Sequence, residues 1–129
     1  MELIHRQLLS NLRNWREAHG KPVLVTEYGA DTLAGLHTLP SVSFSEEFQD
    51  DFMQEYFRAF DDLWAEGWFI GEMVWNFADF MTKQEPKRVA GNKKGVFTRW
   101  ESLIFVFPQI VVFSQYLLIC LSIYLEVNY

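Results

Sequence analysis

The sequence predicts an α/β fold in the order helix, strand, helix, strand, with the two strands parallel. Three observations carry this. Residues 2–19 and the stretch from Ser45 to Gly67 repeat apolar side chains at helical spacing, and a glycine closes each. Val23-Leu24-Val25-Thr26 and Trp68 to Trp75 are short apolar runs with the β-branched or aromatic content of buried strands. The helix between them suits a crossover, and such a crossover implies a parallel pair with right-handed connection.

Each element has its own signals. Leu3, Ile4, Leu8, Leu12 and Trp15 form the apolar stripe of the first helix. Gly20 stops that helix and Pro22 prevents its continuation. Arg6, Arg13, Arg16 and Glu17 interrupt the apolar residues throughout, a pattern unlike a secretory signal peptide. The first strand reads as covered on both faces, with Glu27 ending it, Gly29 turning the chain and a mixed loop running from Ala30 to Pro40. Ser43 or Ser45 caps the second helix, with Glu46 and Glu47 near its positive end. Phe48, Phe52, Tyr56, Phe60, Leu63 and Trp64 make its buried stripe, while Asp50, Asp51, Glu55 and Arg58 face water. After the second strand comes a polar segment, Asn76 to Arg99, with GNKKG at its centre.

Composition narrows the function classes. The 129 residues allow one domain at most, and a complete (β/α)₈ barrel, at about 250 residues, does not fit. A formal net charge of −6 argues against a nucleic-acid-binding surface, which needs clustered cations. The single cysteine, Cys120, excludes an internal disulfide framework and a multi-cysteine zinc site. His5, His19 and His37 lack metal-ligand spacing, and no phosphate loop or nucleophile elbow occurs, so no metal or cofactor is expected. Twelve Phe, 5 Tyr and 5 Trp supply ample drive for burial and exclude a disordered chain.

The composition changes near Trp100. Every Lys and Arg lies at or before Arg99, and residues 102–125 carry no charged side chain. The expected division is therefore residues 1–100 as a globular portion and 101–129 as an apolar tail. The tail meets the length and apolarity of a transmembrane helix, although Pro108, Gln109, Ser114 and Gln115 interrupt it. A membrane span and an apolar helical extension without such a role are equally compatible with it.

In parallel α/β folds the working residues sit at the carboxyl ends of strands and in the loops after them. Glu27 and Trp75 occupy that place. A carboxylate there can serve as nucleophile or general base, the ordinary alternative being a strand-end glutamate paired with a nearby cation. Trp75 offers an indole face for a sugar ring or else belongs to the core. Arg88, Asn92, Lys93 and Lys94 form a short basic loop bracketed by Gly91 and Gly95, suited to an anionic group or simply solvated. Regular alternation sets Glu72 opposite Trp75 and makes it a buried structural partner, and Asp79 can touch a ligand or cap a loop.

Three stretches, TEYGADTLAGLH, EMVWNFADF and RVAGNKKGVFTR, resemble in the same order the C-terminal part of the catalytic barrel of the β-glucuronidases of glycoside hydrolase family 2. The resemblance covers about residues 2–99 and ends at Trp100. It implies a partial TIM barrel, the last quarter, and a retaining hydrolase of β-D-glucuronides, including the ends of glycosaminoglycan chains. By the same resemblance Glu27 is the catalytic nucleophile. Asn92 and Lys94 recognise the glucuronate carboxylate, Arg88 lines the same site, and Trp75 lies beneath the reacting sugar. Enclosing a uronate carboxylate without a partner costs on the order of several kcal/mol, so a cation in GNKKG favours uronides over neutral hexosides.

Retaining catalysis needs two carboxyl groups about 5–5.5 Å apart, one of them protonated. In the family the acid/base glutamate stands in an Asn-Glu pair upstream of the nucleophile, and these 129 residues contain no Asn-Glu pair. The expectation is a glycosidase by family that is inactive on its own. The alternatives are a membrane-associated, non-catalytic uronate-binding protein and an interfering protein that associates with the full-length enzyme. The family's animal members imply a lysosomal or secreted setting, whereas the lack of a signal pattern implies a cytosolic or membrane-associated one.

Overall fold

The computed structural model describes residues 2–86, 90–99 and 117–119. The elements follow in the order α1 (Glu2–His19), β1 (Val23–Tyr28), α2 (Glu46–Ala65), β2 (Phe69–Val74) and β3 (Leu117–Ile119). The sheet order is β1-β2-β3, and both pairings are parallel. The expected helix–strand–helix–strand order and the parallel pair are therefore present.

Local signals set the helix boundaries. Gly20, at φ 60°, donates its N–H to Arg16 O at 2.8 Å and closes α1. Ser45 is the N-cap of α2, and its Oγ accepts the Phe48 N–H at 3.1 Å. Gly67, at φ 76°, follows the Glu66 C-cap and ends the helix in the left-handed region that glycine enters without strain. Arg13 reaches Glu66 at 2.6 Å and His5 reaches Asp62 at 3.0 Å, joining α1 to α2.

The core lies between α2 and the sheet. Phe60, Leu63, Phe69 and Val74 are almost fully enclosed, with Met53, Phe57 and Tyr28 beside them. Tyr28 stacks on Tyr56 with ring centroids 5.1 Å apart and meets Phe60 edge-on, while Phe60 stacks on Phe69 at 5.1 Å. The buried stripe of α2 is turned by about one position from the expected one. Gln49, Met53, Phe57, Phe60 and Leu63 are buried, whereas Phe52, Tyr56 and Trp64 pack at its margin. Glu55, expected in water, is buried and paired with Arg58 at 2.7 Å. In α1, Leu9 and Leu12 are buried while Leu3 and Trp15 stay exposed, so that stripe is also shifted.

The first strand departs from a fully covered one. Val23 and Val25 pack against the core, but Leu24 and Thr26 are exposed, as is Ile70 on β2. The β1–β2 register contains two opposite irregularities: one extra residue on β2 between Phe69 and Gly71, and one extra on β1 between Val25 and Tyr28. The second returns Tyr28 to the core side and leaves Glu27 in the bulge, a device that re-aims a side chain at a strand end.

The tail is described only at Leu117–Ile119, which are a strand paired with Glu72–Val74 and not the expected apolar helix. Pairing with β2 satisfies main-chain groups along that edge of the sheet. The remainder of 102–125, and with it the expected membrane span, lies outside the described residues. Among the described residues no helix is long and apolar enough to cross a membrane.

Candidate active site at the strand ends

The carboxyl ends of β1 and β2 are neighbours. Tyr28 pairs with Val74, and the Trp75 N–H donates to Tyr28 O at 2.9 Å. The Trp75–Asn76 peptide is cis. Glu27 is exposed, and among the described residues its carboxylate has no hydrogen-bonding or ionic partner. Among the described residues, then, no cation pairs with this strand-end glutamate.

Main-chain bonds seat the GNKKG loop on these ends. Asn76 N–H donates to Lys94 O at 3.1 Å, and Val96 N–H returns to Asn76 O at 3.1 Å. Thr32 N–H donates to Lys93 O at 2.8 Å, and Lys93 N–H reaches Asp31 Oδ1 at 3.3 Å. The two bracketing glycines leave no room for a side chain. A Cβ on Gly91 would stand 2.3 Å from Phe80 O, and one on Gly95 2.3 Å from Asp79 N. At Gly29 a Cβ would stand 2.2 Å from Trp75 O and 3.7 Å from the Lys94 Cβ, so the turn after β1 lies directly against the loop.

Three of the expected site residues are thus brought together. Trp75 is half-buried and meets Phe80 edge-on with ring centroids 6.0 Å apart. Asn92 is buried, and its Oδ1 accepts the Lys94 N–H at 3.0 Å. That bond fixes the carboxamide and leaves its NH₂ as a donor. The Lys94 ammonium has no partner among the described residues. Glu27 stands at the same end of the sheet, two residues before Gly29. Arg88 lies outside the described residues.

The two other carboxylates are structural. Glu72 is buried and accepts the Tyr28 hydroxyl at 2.7 Å, as its expected role as a buried partner requires. Burial first, and then the Glu72 charge and hydrogen bond, push the Tyr28 hydroxyl far above its ordinary range. Asp79 caps the loop: its Oδ1 accepts the Gly95 N–H at 2.9 Å and its Oδ2 meets Lys93 Nζ at 3.3 Å. Burial raises its pKa, opposed by the Gly95 N–H and the Lys93 charge.

Sequence reasoning missed Gln49. This buried α2 side chain donates from Nε2 to Ala30 O at 3.1 Å and to Gly95 O at 3.4 Å, joining the loop after β1 to the GNKKG loop. The signal that could have found it is a polar residue in register with Met53, Phe57 and Phe60. Glu46 and Glu47 also do more than complement the helix terminus. Glu46 accepts Gly35 N–H at 2.7 Å, and Glu47 accepts Thr38 N–H at 3.0 Å and meets His37 Nδ1 at 2.8 Å.

An exposed carboxylate, a half-buried indole and a lysine at the carboxyl end of a parallel sheet occupy the place where barrel enzymes carry their working residues. The family model for glycosyl hydrolases family 2, TIM barrel domain, matches residues 1–103, and the chain belongs to that family. It is 50% identical over 99 residues to the β-glucuronidase of Felis catus, covering 77% of this chain. Against the β-glucuronidase of Paenibacillus borealis identity is 52% over 99 residues, again 77% of this chain. The chain spans about 15% of the length of the cat relative and 16% of the bacterial one. Among solved structures, an uncultured Clostridium sp. β-glucuronidase superposes with a TM-score of 0.76 and 51% identity, over 81% of this chain and 18% of that one. The Ruminococcus gnavus β-glucuronidase in complex with uronic deoxynojirimycin gives a TM-score of 0.71 and 40% identity, over 84% and 18% respectively.

Proposed function

We propose that this chain carries the nucleophile and the uronate-recognition loop of a retaining β-glucuronidase, acting in the hydrolysis of β-D-glucuronides and glycosaminoglycan ends. The observation that supports the reading is the seated GNKKG loop, in which the main chain of Lys94 is bonded to Asn76, next to Trp75, and to the Asn92 side chain. A cation and an N–H donor together complement a carboxylate, and charge-assisted bonds of this kind are about twice as strong as neutral ones. The Ruminococcus gnavus relative, solved with a uronic ligand, supports a uronate as the anion.

In this reading Glu27 attacks the anomeric carbon, displaces the aglycone oxygen and forms a covalent glycosyl-enzyme, which water then opens. Trp75 supports the sugar's apolar face, and Arg88 adds positive charge to the carboxylate subsite. The leaving oxygen needs a proton from a second carboxyl group, and none of the 129 residues fills the family's Asn-Glu position. The chain alone therefore binds the uronate without hydrolysing its glycosides. In this reading residues 1–100 are the barrel portion and 101–129 a further segment, of which the family model reaches only residue 103.

Titration calorimetry of the 129-residue chain with glucuronate tests this. The expected result is saturable binding that weakens more than about tenfold in Lys94→Met, the loss of one charge-assisted contact. Equal binding of glucose and glucuronate overturns the assignment of the loop.

A further inference from the structure

The loop holds two adjacent lysines, and the structure treats them differently. Lys93 is engaged at every polar group: its N–H by Asp31, its carbonyl by Thr32 and its ammonium by Asp79. The Lys94 ammonium has no partner among the described residues, while its backbone is fixed by Asn92 and Asn76. Between the two outcomes stands Gly95, whose N–H is held by Asp79 and whose carbonyl is held by Gln49. Asp79 therefore makes both contacts that set the lysines apart, and at 3% exposure it is shielded from water.

We propose that Asp79 is a positioning and specificity-determining residue that engages Lys93 and so leaves Lys94 as the loop's free, directed cation. The proposal rests on the uronate-binding reading for its consequence, but the division of the lysines stands independently of it. Of the two lysines, Lys94 then offers its charge to a sugar carboxylate, beside the charge proposed for Arg88. A further, released ammonium would raise the subsite's positive charge and favour a phosphate dianion over a carboxylate monoanion. Asp79 thus confers discrimination by removing a charge as well as by placing one. Asp31 contributes to Lys93 only through its main-chain N–H, so Asp79 is the group whose change releases the ammonium.

The test uses the full chain, Asp79→Asn, and Asp79→Asn combined with Lys93→Met. Asparagine still accepts the Gly95 N–H but no longer carries the charge that holds Lys93. Reductive methylation, followed residue by residue by mass spectrometry, reads the lysines directly. Lys93 is expected to react about tenfold more slowly than Lys94 in the wild type, and at a similar rate in Asp79→Asn. Calorimetry then compares glucuronate with glucose 6-phosphate: preference for glucuronate is expected to fall about tenfold in Asp79→Asn and to return in the double variant. A merely structural role for Asp79 would leave the double variant as impaired as the single one, and that result overturns the proposal. Equal methylation of Lys93 and Lys94 in the wild type also overturns it. Protected Lys93 with no glucuronate binding refutes the uronate reading while upholding the division of the lysines.

Discussion

The layer between α2 and the sheet and the layer of loops beyond the strand ends are built on different principles. The first is aromatic: Tyr28, Phe57, Phe60 and Phe69 exclude water and stack on one another. The second contains buried polar side chains held to main-chain groups: Gln49 and Asp79 reach other segments of the chain, while Asn76 and Asn92 each bond two residues on. Apolar contact is non-directional and tolerates adjustment, whereas a hydrogen bond fixes an atom's place to a few tenths of an ångström. The aromatic layer thus supplies stability and the polar layer supplies aim. Trp75, Asn92 and Lys94, proposed to meet substrate, belong to the second, and Glu27 stands at the strand end beneath it.

This contrast is broken most severely from the aromatic side. Phe60→Ala should lower unfolding free energy by about 3–5 kcal/mol, measured by urea titration, because a buried ring leaves a cavity that α2 and β2 cannot close. Ile70→Ser, on the exposed part of β2, should change it by less than about 0.5 kcal/mol. Equal effects would mean that the sheet has no preferred packed face.

Tyr28→Phe probes the junction of the two layers. It keeps the stacked ring and removes the donor to the buried Glu72 carboxylate, with an expected loss of about 1–3 kcal/mol. Ser45→Ala removes the α2 cap and should cost about 1 kcal/mol in the same titration.

The smallest effect sharpens the account of the loops. Glu47 is held at a pKa of about 2, chiefly by the Thr38 N–H and then by His37, below its ordinary 4.5. His37 is raised above its ordinary 6.5, chiefly by its hydrogen bond to Glu47. A depressed carboxylate stabilises above its ordinary pKa and loses that contribution as pH falls toward the folded value. A raised histidine stabilises below its ordinary pKa and loses that contribution as pH rises through the folded value. The clamp is therefore strongest between 4.5 and 6.5. Hydrogen exchange at the Thr38 amide, corrected for intrinsic rate, should be slowest in that window and faster at about pH 8. No change above 6.5 would remove His37 from the clamp.

The elements that the sequence made legible are those specified by neighbours in the chain. Gly20, Ser45 and Gly67 act on their own helices, and the strand order follows from a short crossover. The buried stripes were less legible because packing partners decide which face is enclosed. Trp15 remains 61% exposed while Leu9 is buried. Leu24 looked like an enclosed strand residue because composition cannot reveal that one sheet face stays open. In the candidate site, Glu27, Trp75, Asn92 and Lys94 could be singled out by strand-end position and by loop charge. Gln49 was signalled only by its register with Met53, Phe57 and Phe60, and its role was not, since its partners are main-chain oxygens of Ala30 and Gly95, far along the chain. Asp79 was legible as a loop cap, but its choice between two neighbouring lysines depends on the folded loop.

Hydrolysis of a chromogenic aryl β-glucuronide by the purified 129-residue chain, beside Glu27→Gln, tests most directly the claim that this chain bears a nucleophile without its acid/base partner. The account predicts no turnover by either form under conditions where glucuronate binds. Turnover by the wild type that disappears in Glu27→Gln would contradict it, because a carboxyl group such as Glu72 or Asp79, or one from a second chain, would then have to complete the pair.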